Sequence, residues 1–161
     1  MKSPYFLLLI VVSTVCLGLS GCGDGSYAQI PQQPVEEKKQ PITFTYDHSV
    51  GLETARKERK PTLTFFFLPE NAGSQRMMNS TFCDDEIKSL AEKLVCILVD
   101  GSQESALCEE LKISRFPTVI LSNANGMEVR RLVGRQTPGQ LAVQIHILLQ
   151  ATALRLQTAG R

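Results

Sequence analysis

Thr62-Leu63-Thr64-Phe65-Phe66-Phe67-Leu68-Pro69-Glu70-Asn71-Ala72-Gly73-Ser74-Gln75-Arg76-Met77 decides the fold, together with Arg115-Phe116-Pro117-Thr118 further along. Its first seven residues are an unbroken run rich in β-formers, which predicts a central strand over 62–68 with both faces buried. Lys60-Pro61 ends the element before it, because the residue ahead of a proline is disfavoured in a helix. A loop over 69–74 follows, then one or two helical turns over 75–79.

The flanking segments alternate in type. Ile42, Phe44 and Tyr46 alternate with polar residues, the pattern of a short half-buried strand. Ser49 is placed to cap a helix whose apolar face begins with Leu52 and Ala55 and which closes at Lys60-Pro61. Asp84-Asp85-Glu86 open a helix running to Leu94, with acids at its positive end and Ile87, Leu90, Ala91 and Leu94 inward. Residues 95–99 read as a second buried strand ended by Asp100-Gly101, and residues 103–112 as a helix contributing Ala106, Leu107 and Leu111. Residues 117–121 and 129–133 flank a turn at Asn123-Ala124-Asn125-Gly126 and read as a hairpin. Thr137-Pro138 starts a last helix with a stripe of Leu141, Ile145, Leu148 and Leu149. The order β-α-β-α-β-α-β-β-α predicts an α/β domain, a mixed central β-sheet flanked by helices.

Over roughly residues 42–150 the chain resembles the thioredoxin-like fold family. Lys60-Pro61 precedes the core strand, Met77 and Thr81-Phe82 follow the motif loop, and Val99-Asp100 ends the next strand. Arg115-Phe116-Pro117-Thr118 matches the loop whose proline is cis in the family, so the resemblance implies a cis bond at Pro117. Gly126 and Gly134 fall where the hairpin and its exit need glycine. Counted without gaps from Lys60-Pro61, the family's two active-site cysteines land on Asn71 and Ser74; shifted by one, they land on Ala72 and Gln75. Neither register supplies sulfur, and the tryptophan before the first cysteine is also missing, since the chain has none.

That departure has a chemical cost. Thiol–disulfide exchange needs a thiolate to attack and a second sulfur to resolve the mixed disulfide. Serine and asparagine stay un-ionised near neutral pH, and a nucleophilic Ser74 would need a nearby base. The two histidines, His48 and His146, lie in other segments. The resemblance implies that the peptide groove outlives the dithiol, lined by Asn71, Ala72, Gly73, Ser74, Phe116 and Pro117. Of the other thiols, Cys96 lies between Val95 and Ile97 and reads as core. Cys83 starts a helix, whose dipole favours a thiolate while Asp84 and Asp85 oppose it. Cys108 sits between Leu107 and Glu109-Glu110. Cys83 and Cys108 are the low-ranking candidate thiols for catalysis, and in an oxidising envelope they are candidates for a structural bridge. Three cysteines is an odd number, so at least one stays unpaired or bonds another molecule. No metal-ligand spacing and no phosphate-binding glycine loop occurs, so no metal and no cofactor is expected.

The N-terminus reads as an address. Lys2 supplies a positive n-region, and residues 5–19 an uncharged apolar stretch, too short to span at ~20 residues and suited to a signal h-region. It ends in Leu19-Ser20-Gly21-Cys22, which resembles the bacterial lipobox and implies acylation of Cys22. Residues 23–41 carry Gly, Ser, Gln, three prolines and Glu36-Glu37-Lys38-Lys39 and bury no core; they read as a tether. Fully extended, about 19 residues reach at most ~65 Å. The expected segments are a signal peptide over 1–21, lipidated cysteine and tether over 22–41, the domain over 42–150, and a helix extension or tail over 151–161, whose Ala151, Ala153, Leu154 and Leu156 are apolar.

With 17 basic and 16 acidic residues in 161, the net charge of +1 gives no field drawing nucleic acid. Arg56-Lys57-Glu58-Arg59-Lys60, the one basic run, reads as a solvated helix end. The sequence therefore predicts a lipid-anchored protein of the bacterial cell envelope, its domain facing the periplasm or exterior. It would bind a protein or peptide partner and contact the membrane through Cys22, without dithiol activity. The other reading is an atypical thiol-disulfide oxidoreductase working through Cys83 or Cys108.

Overall fold

The computed structural model describes residues 41–159, with side chains to residue 155. The signal segment, Cys22 and the tether up to residue 40 lie outside the described residues. No described helix is long and apolar enough to cross a membrane.

The elements follow in the order α1 (His48–Glu58), β1 (Thr62–Phe67), α2 (Ala72–Asn79), a 3-10 turn (Thr81–Cys83), α3 (Asp85–Ala91), β2 (Val95–Asp100), α4 (Ser105–Glu110), β3 (Thr118–Ser122), β4 (Glu128–Val133) and α5 (Pro138–Ala159). The sheet runs β2-β1-β3-β4. β1 and β2 are parallel, with Thr62 opposite Val95 and Phe67 opposite Asp100. β3 is antiparallel to β1 and β4 to β3. One end of the sheet therefore holds the starts of β1, β2 and β4 and the end of β3. The other holds the motif loop and the Phe116-Pro117 bond, which is cis.

Strand alternation sends side chains to two cores. Leu63, Phe65, Cys96, Leu98, Val119 and Leu121 face α2, α3 and α5. Phe66, Val95, Ile97, Val99 and Ile120 face α1 and α4. Phe82 anchors the first core: its ring meets Phe44 edge-on at 5.2 Å and Phe65 at 4.8 Å. Such pairs add ~0.5–1.5 kcal/mol each beyond the area they bury. Every residue of both cores lies between Ile42 and Leu148, so the segment from Pro41 onward carries what it needs to fold alone.

Several expectations need correction: α2 opens at Ala72 rather than at Gln75, α3 ends at Ala91 rather than at Leu94, and three other segments differ as follows. The strand expected at Ile42, Phe44 and Tyr46 is a single parallel bridge, Thr45 to Ile97. Ile42 donates its N–H to the Phe82 carbonyl instead of to a strand, and Tyr46 is 77% exposed. The sheet thus has four strands rather than five. Ser49 does not cap α1; Asp47 does, its carboxylate accepting from Val50 N at 2.9 Å. The aspartate stops the would-be strand by starting the helix two residues early. The helix expected over 103–112 is only α4, because the Asp100 carboxylate takes Ser102 N, Ser102 Oγ and Gln103 Nε2 and turns the chain first. At the hairpin, Gly126 has φ +83, which only a residue without Cβ adopts cheaply.

Candidate functional site

The site is built where β1 ends. Leu68 leaves the strand, the chain turns through Pro69 and Glu70, and α2 begins at Ala72. Asn71 is the N-cap of α2: its Oδ1 accepts from Ser74 N at 2.9 Å. Such a cap satisfies one of the orphan N–H groups of the first turn and is worth ~1 kcal/mol. Ser74 is fully buried, and its Oγ accepts from Leu68 N at 3.2 Å, fastening the helix to the strand exit. Gln75 Nε2 donates to the Pro69 carbonyl at 2.8 Å and braces the loop from outside. Of the positions the resemblance assigns to sulfur, Asn71, Ser74 and Gln75 are occupied here by groups that hold the loop's shape.

The cis-proline loop comes against this helix. A Cβ on Gly73 would stand 3.0 Å from Pro117 Cδ, so the two segments touch at the glycine. The Pro117 carbonyl accepts from Gly134 N at 2.7 Å, and Thr118 Oγ1 donates to the Arg115 carbonyl. The half-buried Phe116 ring packs over Gly101, where a Cβ would collide with it, and beside Leu68. Neither the N–H nor the C=O of Phe116 has a hydrogen-bond partner among the described residues. Asn71, Ala72, Gly73, Phe116 and Pro117 thus gather at one end of the sheet, whereas Ser74 points its hydroxyl inward to Leu68. Leu68 and Gly101 belong to the same constellation. Sequence reasoning missed both, because a bare N–H and an absent side chain leave no residue-type signal.

The described thiols, Cys83, Cys96 and Cys108, lie elsewhere and are free and buried. Cys83 donates its S–H to the Met78 carbonyl at 3.2 Å. Burial pushes Cys96 up to about 12. Burial raises Cys108 as well, and the carboxylates of Glu104 and Asp100 raise it further. Cys108 belongs to the core on the α1–α4 side. His146 meets Glu86 at 3.4 Å on the surface, and His48 opens α1, so neither histidine serves Ser74 as a base.

A four-stranded mixed sheet flanked by helices, with a helix-opening loop against a cis-proline, defines the class. A family model described as a thioredoxin-like domain matches residues 49–146, and the chain belongs to that family. Among solved structures, a thioredoxin from Thermus thermophilus superposes with a TM-score of 0.61 at 17% identity, covering 68% of this chain and 88% of that one. A DsbH oxidoreductase gives 0.58 at 18% identity, covering 74% and 92%. A poplar thioredoxin h gives 0.57 at 20%, covering 69% and 96%. Likeness at that identity speaks for the fold. A search of curated proteins finds no match.

Proposed function

We propose that this chain is a lipid-anchored protein of the bacterial cell envelope whose thioredoxin-like domain binds an extended peptide or protein partner without dithiol chemistry. The observation that carries the reading is the employment of Asn71 and Ser74, one as a helix cap and one as a buried acceptor for Leu68 N. Neither group is poised to react. Beside them the N–H and C=O of Phe116 stand without partners, and an extended chain uses such a pair as one rung of an antiparallel ladder. The anchor rests on Leu19-Ser20-Gly21-Cys22, with acylation at Cys22 and the domain facing the periplasm or exterior. The oxidoreductase reading through Cys83 or Cys108 is opposed by the burial of both thiols.

Reduction of insulin disulfides by the segment 41–161, beside its Asn71→Cys/Ser74→Cys variant, tests this. The expected result is a silent wild type and an active variant, since the variant supplies the two sulfurs to an otherwise intact groove. Turnover by the wild type overturns the reading and moves the chemistry to Cys83 and Cys108. Silence of both proteins, with the variant folded, overturns the groove.

A further inference from the structure

The end of the sheet opposite the motif loop carries an arginine cluster that the peptide-binding reading leaves unused. Arg56 and Arg59 close α1, Asn123 and Asn125 belong to the β3–β4 turn, and Thr152 and Arg155 come from the last third of α5. Together with Ala124 these six residues line an open cavity of about 380 Å³. No acidic side chain lines it, and neither Arg56 nor Arg59 takes part in an ion pair among the described residues. Arg56 is held against the turn, its Nη2 3.9 Å from where a Cβ on Gly126 would stand. Asn123 Oδ1 already accepts from Asn125 N and Met127 N, so that side chain has only its amide donors left. The guanidinium groups of Arg56 and Arg59, with no acid at the opening, repel each other until an anion enters. Their planar forks match the oxygens of a phosphate.

We infer that this cavity binds the phosphate of an anionic lipid headgroup, with this end of the domain resting on a bilayer. Two observations favour lipid over a free anion. The chain enters the domain at the same end: Pro41 and Ile42 lie against Leu94, the residue before β2. In addition, α5 passes its last fully buried residue, Leu148, and continues to Ala159, about 16 Å further at ~1.5 Å per residue. That last part carries Leu154, 63% exposed, next to Arg155. An exposed leucine beside arginines suits the membrane interface, where the apolar group enters the acyl boundary and the guanidinium stays among headgroups. The choice of lipid as the source of the phosphate rests on the proposed anchor at Cys22.

Co-sedimentation of the segment 41–161 with phosphatidylcholine vesicles, with and without about one third phosphatidylglycerol, tests the inference at low salt. The domain is expected to sediment only with the anionic vesicles. Arg56→Gln/Arg59→Gln is expected to weaken that binding roughly tenfold or more, since each basic residue near an anionic surface contributes appreciably. Both side chains are exposed, so the variant's thermal midpoint should match the wild type and rule out misfolding as the cause. Absence of sedimentation, or equal sedimentation of the variant, overturns the inference. Stabilisation by inorganic phosphate without vesicle binding also overturns it, in favour of a free-anion site. The anchor is read separately, by incorporation of a labelled fatty acid into the full chain and its loss in Cys22→Ser. Anionic vesicles bound by the segment with no label in the full chain would uphold the arginine site and remove the anchor.

Discussion

Ser74 shows how one side chain can hold a loop where the resemblance places a sulfur. A thiolate at the start of a helix gains from the dipole and from exposure; a hydroxyl with no exposed surface, accepting from Leu68 N, gains from neither. The absence of sulfur was legible in the sequence, since no cysteine stands at Asn71, Ala72, Ser74 or Gln75. The replacement role was not, because Ser74's partner is a backbone N–H six residues back that only the folded loop brings round. The same distinction governs the remaining cysteines, whose reactivity depends on burial more than on neighbours in sequence. Cys96 is pushed up to about 12 by burial, and Cys108 is raised by burial together with Glu104 and Asp100. At about pH 8 the thiols of the native segment 41–161 are therefore expected to react with Ellman's reagent far more slowly than a free thiol, which ionises near ~8.5. Full reaction should appear only with denaturant. Rapid labelling of Cys83 or Cys108 in the native protein would restore the oxidoreductase reading.

Helices and strands were more legible than the contacts that decide their ends. β1 and β2 match their apolar runs to within one residue, because a continuous β-branched and aromatic run between turn signals has few alternatives. The 42–46 segment misled because alternation marks a face, not a partner: Thr45 pairs with Ile97 and Asp47 then captures the chain for α1. Arg131 was equally unreadable as a fastener. It donates to the Leu111 and Lys112 carbonyls at the end of α4 while bound to Glu128 at 2.6 Å on its own strand. The start of α1 gives a pH prediction. Burial holds His48 below its ordinary 6.5, and Glu110, Asp47 and Glu104 offset only part of that. Just under 6.5 the unfolded chain then binds more protons than the native one, so stability contributed by the neutral ring is present above that value and is lost as the pH falls through it. His48→Gln is accordingly expected to lose less of its thermal midpoint than the wild type between about pH 7.5 and about pH 5.5. An equal fall in both would show that the acid sensitivity lies in other groups.

The molecule has two ends with different equipment, and α5 runs between them. At one end Gly73 meets the cis-Pro117 loop beside Phe116, the main-chain edge proposed for docking. At the other, residues far apart in sequence (Arg56, Arg59 and Arg155) meet around a cavity, and Pro41 brings the chain in. Arg56-Lys57-Glu58-Arg59 is the solvated helix end its composition predicts, but nothing local indicates that the hairpin turn and the end of α5 stand beside it. A domain seated by its arginine end would present the proposed peptide edge away from the bilayer, which would give the proposed tether a use beyond distance. α5 permits a test of that division, since it starts at Pro138, capped reciprocally by Thr137 and Gln140, beyond the end of β4 at Val133, and finishes past the arginine cluster. Its core contribution ends at Leu148, with Leu149 half-buried. Truncation after Gln150 removes no fully buried side chain among those described, so the segment 41–150 is expected to unfold within about 1 kcal/mol of the segment 41–161 in urea. It loses Arg155 and Leu154, however, and its binding to anionic vesicles should weaken while the peptide edge is untouched. A truncated domain that fails to fold would instead place the last two turns of α5 in the structural core.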